Sequence, residues 1–298
     1  VLSFEGVLTA HGWRDLAPNR WDPETGRYER PLRLADGHVV RLEIAAREEG
    51  VGFTIEGAGG VRSDDVAELR RAVARMLRLT EDLEPFYRRC RERGGRWAGV
   101  AEGEGRLLRS PTVFEDVVKT ICTTNVSWGG TRRMVDALVR EFGPDDRADG
   151  SLRPFPTAEK IASVGSEALR EGAGLGYRAP YVHAFAQRVA AGDLDPERWI
   201  AADWDGDELY DRIRSVKGVG DYAASTLMML VGRYGRLPVD SVYREFVGER
   251  YFDGAIPSGR NPREVYDAWD EWKYLAYWSE LVGWVAGGEA PEPATGSE

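Results

Sequence analysis

The 298-residue sequence holds only two cysteines, Cys90 and Cys122, and three histidines, His11, His38 and His183. Two thiols build no disulfide scaffold and suit a reducing compartment. They also cannot supply the four thiolates that an iron–sulfur cluster takes. The histidines lie far apart and lack cysteine partners, so no zinc motif is present. No run of 18 apolar residues occurs, which argues against a membrane-spanning helix. The start shows no signal-peptide pattern. Together these absences predict a cytoplasmic protein with no membrane partner. There is no Walker loop, no Gly-x-Ser-x-Gly elbow, no internal repeat and no heptad array.

Positive charge is also in short supply. Forty Lys and Arg stand against fifty Asp and Glu, a net charge of −10. That balance counts against a nucleic-acid binder. The distribution softens it. Residues 253–298 hold nine acids and three bases, whereas residues 208–250 hold seven bases and six acids. Contact with DNA would rest on a local face and on backbone amides, with a shallow salt slope.

What is present is an ordinary globular composition, 42% hydrophobic and 30% charged, long enough for one large domain or two smaller ones. Residues 1–85 read as short strands around Leu32–Leu34, Val39–Ile44 and Gly52–Ile55, joined by Asp36-Gly37 and Glu49-Gly50 turns. Ser63 is placed to cap a helix whose stripe is Val66, Leu69, Val73, Met76 and Leu77. Trp13, Trp21 and Tyr28 read as core or loop anchors. From Pro85 onward, helices are expected throughout. One starts at Ser110-Pro111 with Phe114, Val117, Val118, Ile121 and Cys122 on one face and ends near Asn125. Ser127 caps the next, Thr157 a short one, and Pro180 starts another. Residues 262–285 form a last, aromatic helix that includes Tyr266, Trp269, Trp272, Tyr274, Tyr277, Trp278 and Trp284. Residues 286–298 read as a disordered tail.

One stretch organises the rest. A helix carrying Leu209, Ile213 and Val216 runs into Lys217-Gly218-Val219-Gly220, and a second helix follows with Ala223, Ala224, Leu227, Met228 and Val231 at helical spacing. Glycines one residue apart allow a sharp turn and let amides approach a ligand at a helix N-terminus, where an anion is favoured. Alone, such a turn is an ordinary helix–helix connection. It is followed, however, by Leu237-Pro238-Val239-Asp240, with Asp240 opening a further helix. Read from the sequence alone, Asp240 is a helix N-cap before it is a fixed carboxylate for chemistry, although one side chain can be both.

The segment from Ser215 to Arg244 resembles the helix-hairpin-helix (HhH-GPD) DNA glycosylases, in particular the 8-oxoguanine and 3-methyladenine types. The resemblance is strongest over 107–125, 169–190 and 209–246. It implies an α+β fold, with a small antiparallel sheet domain (1–85) packed on an all-helical core (86–285, hairpin 209–231). It also implies excision of a damaged base flipped out of duplex DNA, in base excision repair, by a monomer that is nucleoid-associated if bacterial. Asp240 falls at the catalytic carboxylate. Lys217, Gly218, Val219 and Gly220 would hold a DNA phosphate, and family members place a monovalent cation on hairpin backbone such as that of Gly218 and Gly220. No metal ligand is expected from side chains. Asn125, Tyr177 and Arg178 match residues that enter the duplex. The Lys nucleophile of the bifunctional class is replaced by Tyr222, which cannot form a Schiff base. The resemblance thus implies a glycosylase without lyase activity.

The sequence departs from the 8-oxoguanine branch at Gly130, where an Arg would read the orphaned cytosine, and at Val242, where a His would follow the catalytic Asp. These departures put 8-oxoguanine specificity in doubt, and the missing Lys with the aromatic last helix favours an alkylated purine, held by stacking among rings such as Tyr222, Trp272 and Trp278. Alternatives are an 8-oxoguanine-type glycosylase, a catalytically silent helix-hairpin-helix DNA-binding module, and a helical scaffold for a protein partner. For any single ring, core packing is the simpler role.

Overall fold

The computed structural model describes residues 2–57, 62–144, 153–201 and 203–285. It is α+β, with a four-stranded sheet near the N-terminus and helices elsewhere. The expected tail at 286–298 and the side chain of Trp284 lie outside what is described.

The chain opens with α1 (Phe4–Thr9) and a 3-10 turn at Gly12–Asp15. The strands β1 (Arg20–Asp22), β2 (Arg27–Arg33), β3 (Val39–Arg47) and β4 (Gly50–Gly57) then form an antiparallel meander in that order. Alternation along β2 and β3 buries Tyr28, Leu32, Val40, Leu42 and Ile44 on one face. The strands run longer than their apolar cores suggested, because the ladder continues past those cores, as at Arg27↔Ala45 and Arg47↔Gly50.

Helix α2 (Ser63–Met76) lies against the sheet through Leu69, Val73 and Met76. Ser63 is not its cap. Arg62 holds that position, and Asp65 reaches back to the Arg62 N–H at 2.9 Å. Helices α3 (Glu84–Arg93), α4 (Arg96–Val100), α5 (Val113–Thr123) and α6 (Trp128–Phe142) follow. The face predicted for α5 is buried as expected, but the helix starts at Val113 under a Thr112 cap rather than at Ser110-Pro111. Ser127 caps α6 and Thr157 caps α7 (Ala158–Gly172), which is longer than expected because the chain bends at Gly165, φ +81°, and resumes. Then come α8 (Ala179–Ala190), α9 (Arg198–Ala201), α10 (Gly206–Arg214), α11 (Asp221–Leu230) and α12 (Ser241–Tyr251). The last aromatic stretch is two elements rather than one helix. A 3-10 segment at Pro262–Trp272 breaks at Asp270, φ +49°, and α13 (Lys273–Val285) follows.

Two sets of buried polar contacts fix the N-terminal part to the helices. Arg30 on β2 meets Glu115 on α5 at 2.9 Å, and Lys119 one turn along takes the other Glu115 oxygen at 2.6 Å. All three side chains are almost fully buried, so each charge depends on the others. Nearby, Trp13 Nε1 donates to Asp116 Oδ1 at 2.9 Å. The second set lies at the far end of α11. Arg78 Nη2 donates to the Met229 and Leu230 carbonyls, and Arg109 Nη1 donates to Leu230 O at 3.0 Å. Two guanidinium groups thus satisfy the orphan carbonyls at a helix C-terminus, where positive charge is favoured.

Candidate active site

The connection between α10 and α11 is the predicted hairpin. Gly218 has φ +91°, and a Cβ there would lie 2.7 Å from the Tyr181 ring, so both conformation and space demand glycine. The amides divide their work. Val219 N–H is used internally, bonding Val216 O at 3.0 Å. Among the described residues, the Gly218 and Gly220 N–H groups have no acceptor. They join the unbonded first-turn N–H groups of α11, whereas Val219, expected to offer its amide as well, spends it within the hairpin. Lys217 is exposed beside them.

Of the Val216, Gly218, Val219 and Gly220 carbonyls, Gly218 O has no donor among the described residues, and the others are each engaged once. Val219 O accepts Arg214 Nη1 at 3.2 Å, Gly220 O accepts Ala224 N–H at 2.9 Å, and Val216 O is taken by Val219. A guanidinium already supplies positive charge to that carbonyl edge.

Beyond the hairpin, two helices face one another with matching stripes. On α11 the lining residues are Tyr222, Ala223, Thr226 and Met229, and on α13 they are Tyr274, Tyr277, Trp278 and Leu281. Both spacings place the residues on one helix face. Between them lies a cleft of about 970 Å³. The turn at His11–Trp13 closes one side and the loop at Thr123–Val126 another. Trp278 is fixed by its Nε1–H to Ala10 O and by stacking on Tyr274 at 5.9 Å. Trp272, the other ring proposed for a pocket, does not line this cleft. It stacks on Tyr234 at 5.8 Å and packs near Phe86, on a different side of the core. The break at Asp270 turns that part of the stretch away.

Asp240 lines the same cleft, half-buried. It is the N-cap of α12 and accepts the Tyr243 N–H at 2.7 Å. The two roles open at the sequence level are therefore compatible, since the cap fixes the carboxylate. Burial raises its pKa above the ordinary aspartate value, opposed by backbone N–H bonds from Tyr243 and Val242. Tyr222 sits within its field: burial chiefly, and the Asp240 charge further, push the phenol up, while the Thr123 and Thr226 hydroxyls oppose this.

Asn125 and Tyr177 meet at the mouth of the cleft. Asn125 Nδ2 donates to the Tyr177 hydroxyl at 3.1 Å, and Tyr177 is 49% exposed. Asn125 has φ +48°, a conformation Asn tolerates better than most residues. Arg178 is different. It is only 6% exposed, its guanidinium grips the Thr124 and Asn125 carbonyls, and its Cζ lies 4.5 Å from the Tyr177 ring centroid. The expectation that Arg178 enters a duplex is corrected: it holds the loop that presents Asn125 and Tyr177.

Sequence reasoning missed Trp128. This exposed ring on the first turn of α6 joins Val126, Tyr177 and Val242 in an apolar rim around the cleft. A large ring directly after the Ser127 cap was the available signal. Gly130 cannot bear a side chain without displacing Val126, since a Cβ would lie 2.4 Å from Val126 Cγ2.

Residues 118–255 match the model of the HhH-GPD superfamily base excision DNA repair proteins. Among individual relatives, the yeast (Saccharomyces cerevisiae) N-glycosylase/DNA lyase is 22% identical over 232 residues. The matched stretch takes in 74% of this chain and 61% of the yeast protein, so the chain spans less than two thirds of that relative. The fold is shared with a 3-methyladenine DNA-glycosylase from Archaeoglobus fulgidus, with TM-score 0.72, 23% identity and 94% of each chain covered. It is shared too with the 8-oxoguanine glycosylase/lyase of Clostridium acetobutylicum in complex with double-stranded DNA, with TM-score 0.61, 17% identity, and 89% of this chain and 98% of that one covered.

Proposed function

We propose that this chain is a monofunctional DNA glycosylase that hydrolyses the N-glycosidic bond of a damaged base flipped out of duplex DNA. The observation that carries the reading is Asp240, a rigidly capped carboxylate in the wall of an aromatic cleft whose rim also holds the hairpin. As the glycosidic bond breaks, the sugar gains oxocarbenium character, and a fixed carboxylate stabilises that charge. The same group can orient the water that attacks the sugar carbon as the base leaves with the bonding electrons. Gly218 and Gly220 hold a phosphate, with Lys217 beside them. Asn125 and Tyr177 occupy the gap left by the extruded nucleotide, which otherwise costs a few kcal/mol of lost stacking and pairing.

Hydrolysis without lyase chemistry is supported by the lining. The chain has four lysines, and among the described residues none lines the cleft. Tyr222 offers a phenol where a Schiff base would need an amine. An alkylated purine is the favoured substrate, since Tyr222 and Trp278, backed by the buried Tyr274 and Tyr277, line the cleft with aromatic surface for an electron-poor base. The archaeal neighbour named for 3-methyladenine agrees with this choice. Oxidised guanine is the second reading, favoured by the Asn125–Tyr177 pair and by the 8-oxoguanine neighbour.

The test is to incubate methylated and oxidised duplexes with the protein and cleave abasic sites with alkali. Methylated duplex should yield alkali-labile sites and no strand breaks before alkali. Asp240→Asn should abolish release while duplex binding survives. Absence of release from every lesion would leave the silent binding module standing instead.

A further inference from the structure

A second concavity of about 690 Å³ lies between the sheet and α6. Its walls carry seven arginines against three carboxylates, in a chain whose net charge is −10. Several of these cations are already committed. Arg30 is buried on Glu115, Arg41 lies 3.7 Å from Glu56, and Arg140 pairs with Asp136 at 3.2 Å. Arg20, Arg132 and Arg133 are exposed, and among the described residues no ion pair engages them. Of the lining acids, Asp15 and Asp136 are engaged by Arg14 and Arg140. Glu29 stands opposite Arg20 in the β1–β2 register.

This basic groove adjoins the cleft. Gly129 lines the groove while Trp128 and Thr131, on the same turn of α6, line the cleft. The 3-10 turn is shared in the same way, with Asp15 on the groove side and Gly12 and Trp13 on the cleft side. Arg133 folds back toward that boundary, its Nη1 3.6 Å from where a Gly129 Cβ would lie.

We propose that the groove is a second phosphate-binding track, which holds the phosphodiester backbone of the DNA strand leaving the cleft. The proposal rests on the glycosylase reading for the position of the DNA. Three guanidinium groups outside any ion pair, Arg20 on the sheet wall and Arg132 and Arg133 on the α6 wall, suit a phosphate backbone lying between them, because arginine donates in a planar fork and carries its charge at every relevant pH. Each phosphate neutralised adds about 0.9 to the slope of log affinity against log salt. The groove therefore adds to a salt dependence that the hairpin's amides alone would leave shallow.

The experiment measures binding to a duplex that extends a full helical turn on either side of a tetrahydrofuran abasic analogue, across a salt series. Replacing Arg20, Arg132 and Arg133 together by alanine should weaken binding at least tenfold at low salt. The salt slope should become shallower by about two to three. The corresponding triple lysine variant keeps the charges and should retain the slope. The proposal is overturned if the alanine variant binds with the parent's affinity and slope, or if the lysine variant loses as much as the alanine one. Binding is read independently of base release. A parent protein that releases no base, while the alanine variant still flattens the slope, would end the glycosylase reading and leave the groove intact.

Discussion

Asp240 is pulled in two directions. Partial burial favours its neutral form, and the N–H groups of Tyr243 and Val242 favour the anion. Burial prevails, so the group ionises above the ordinary aspartate range. If the anion is the working form, base release fails as pH drops through that raised value. The single-turnover excision rate should therefore show an acidic limb displaced to higher pH than an exposed aspartate would give. A flat acidic profile down to the ordinary range would count against Asp240 as the group that must be ionised. Asn125 shows a second kind of residue-scale logic. Its left-handed backbone is tolerated by few residue types, and Arg178 beneath it ties down the carbonyls on both sides of the bend. The Asn is thus suited to the turn as much as to what it would touch.

At the scale of elements, α5 shows how a nearly fully buried helix reads in sequence. Its apolar face was legible from Phe114, Val117, Val118, Ile121 and Cys122. The burial of Glu115, Asp116 and Lys119 was not, because their partners Arg30 and Trp13 are distant in the chain. Removing one partner of a buried ion pair strands the other. Arg30→Ala should destabilise the protein by about 3 kcal/mol in denaturant unfolding, with Lys119 left to serve Glu115 alone. A change under about 1 kcal/mol would mean that water reaches the pair. The hairpin and Asp240 were legible because glycine and proline leave local marks. The division of labour among the three hairpin amides was not, since it depends on the Val216 carbonyl accepting one of them. The last helix misled in a related way. Its aromatic spacing is continuous in sequence, but the break at Asp270 sends Trp272 against Tyr234 and Phe86 and Trp278 to the cleft. Aspartate takes a positive φ more readily than most residues, but nothing in the local sequence marks Asp270 as the place where it does so.

Across the whole molecule, two buried groups set opposing pH dependences. Glu280 on α13 accepts the Tyr251 and Tyr266 hydroxyls at 2.7 and 2.6 Å, its other oxygen has no partner, and burial pushes its pKa up to about 7. The folded state thus holds this proton more tightly than the unfolded one. The stability it gives is full below the ordinary glutamate value and is lost as pH rises toward about 7. His11 behaves in the opposite way. Burial lowers its pKa to about 3, so its contribution is present above the ordinary histidine value and is lost as pH falls. A Glu280→Gln variant should therefore lose less melting temperature than the parent between pH 5 and 8. Equal losses in parent and variant would remove Glu280 as the source. Among the described residues no helix is long and apolar enough to cross a membrane.

The two arginines that close the far end of α11 both precede residue 118, whereas the hairpin at its near end lies within the stretch matched by the family model. A tug on a bound strand at Gly218 and Gly220 would be felt along ten residues of helix by Arg78 and Arg109. On the proposed reading, the chain ahead of the matched stretch braces that grip. Shortening the chain to its matched domain would leave a hand without a wrist.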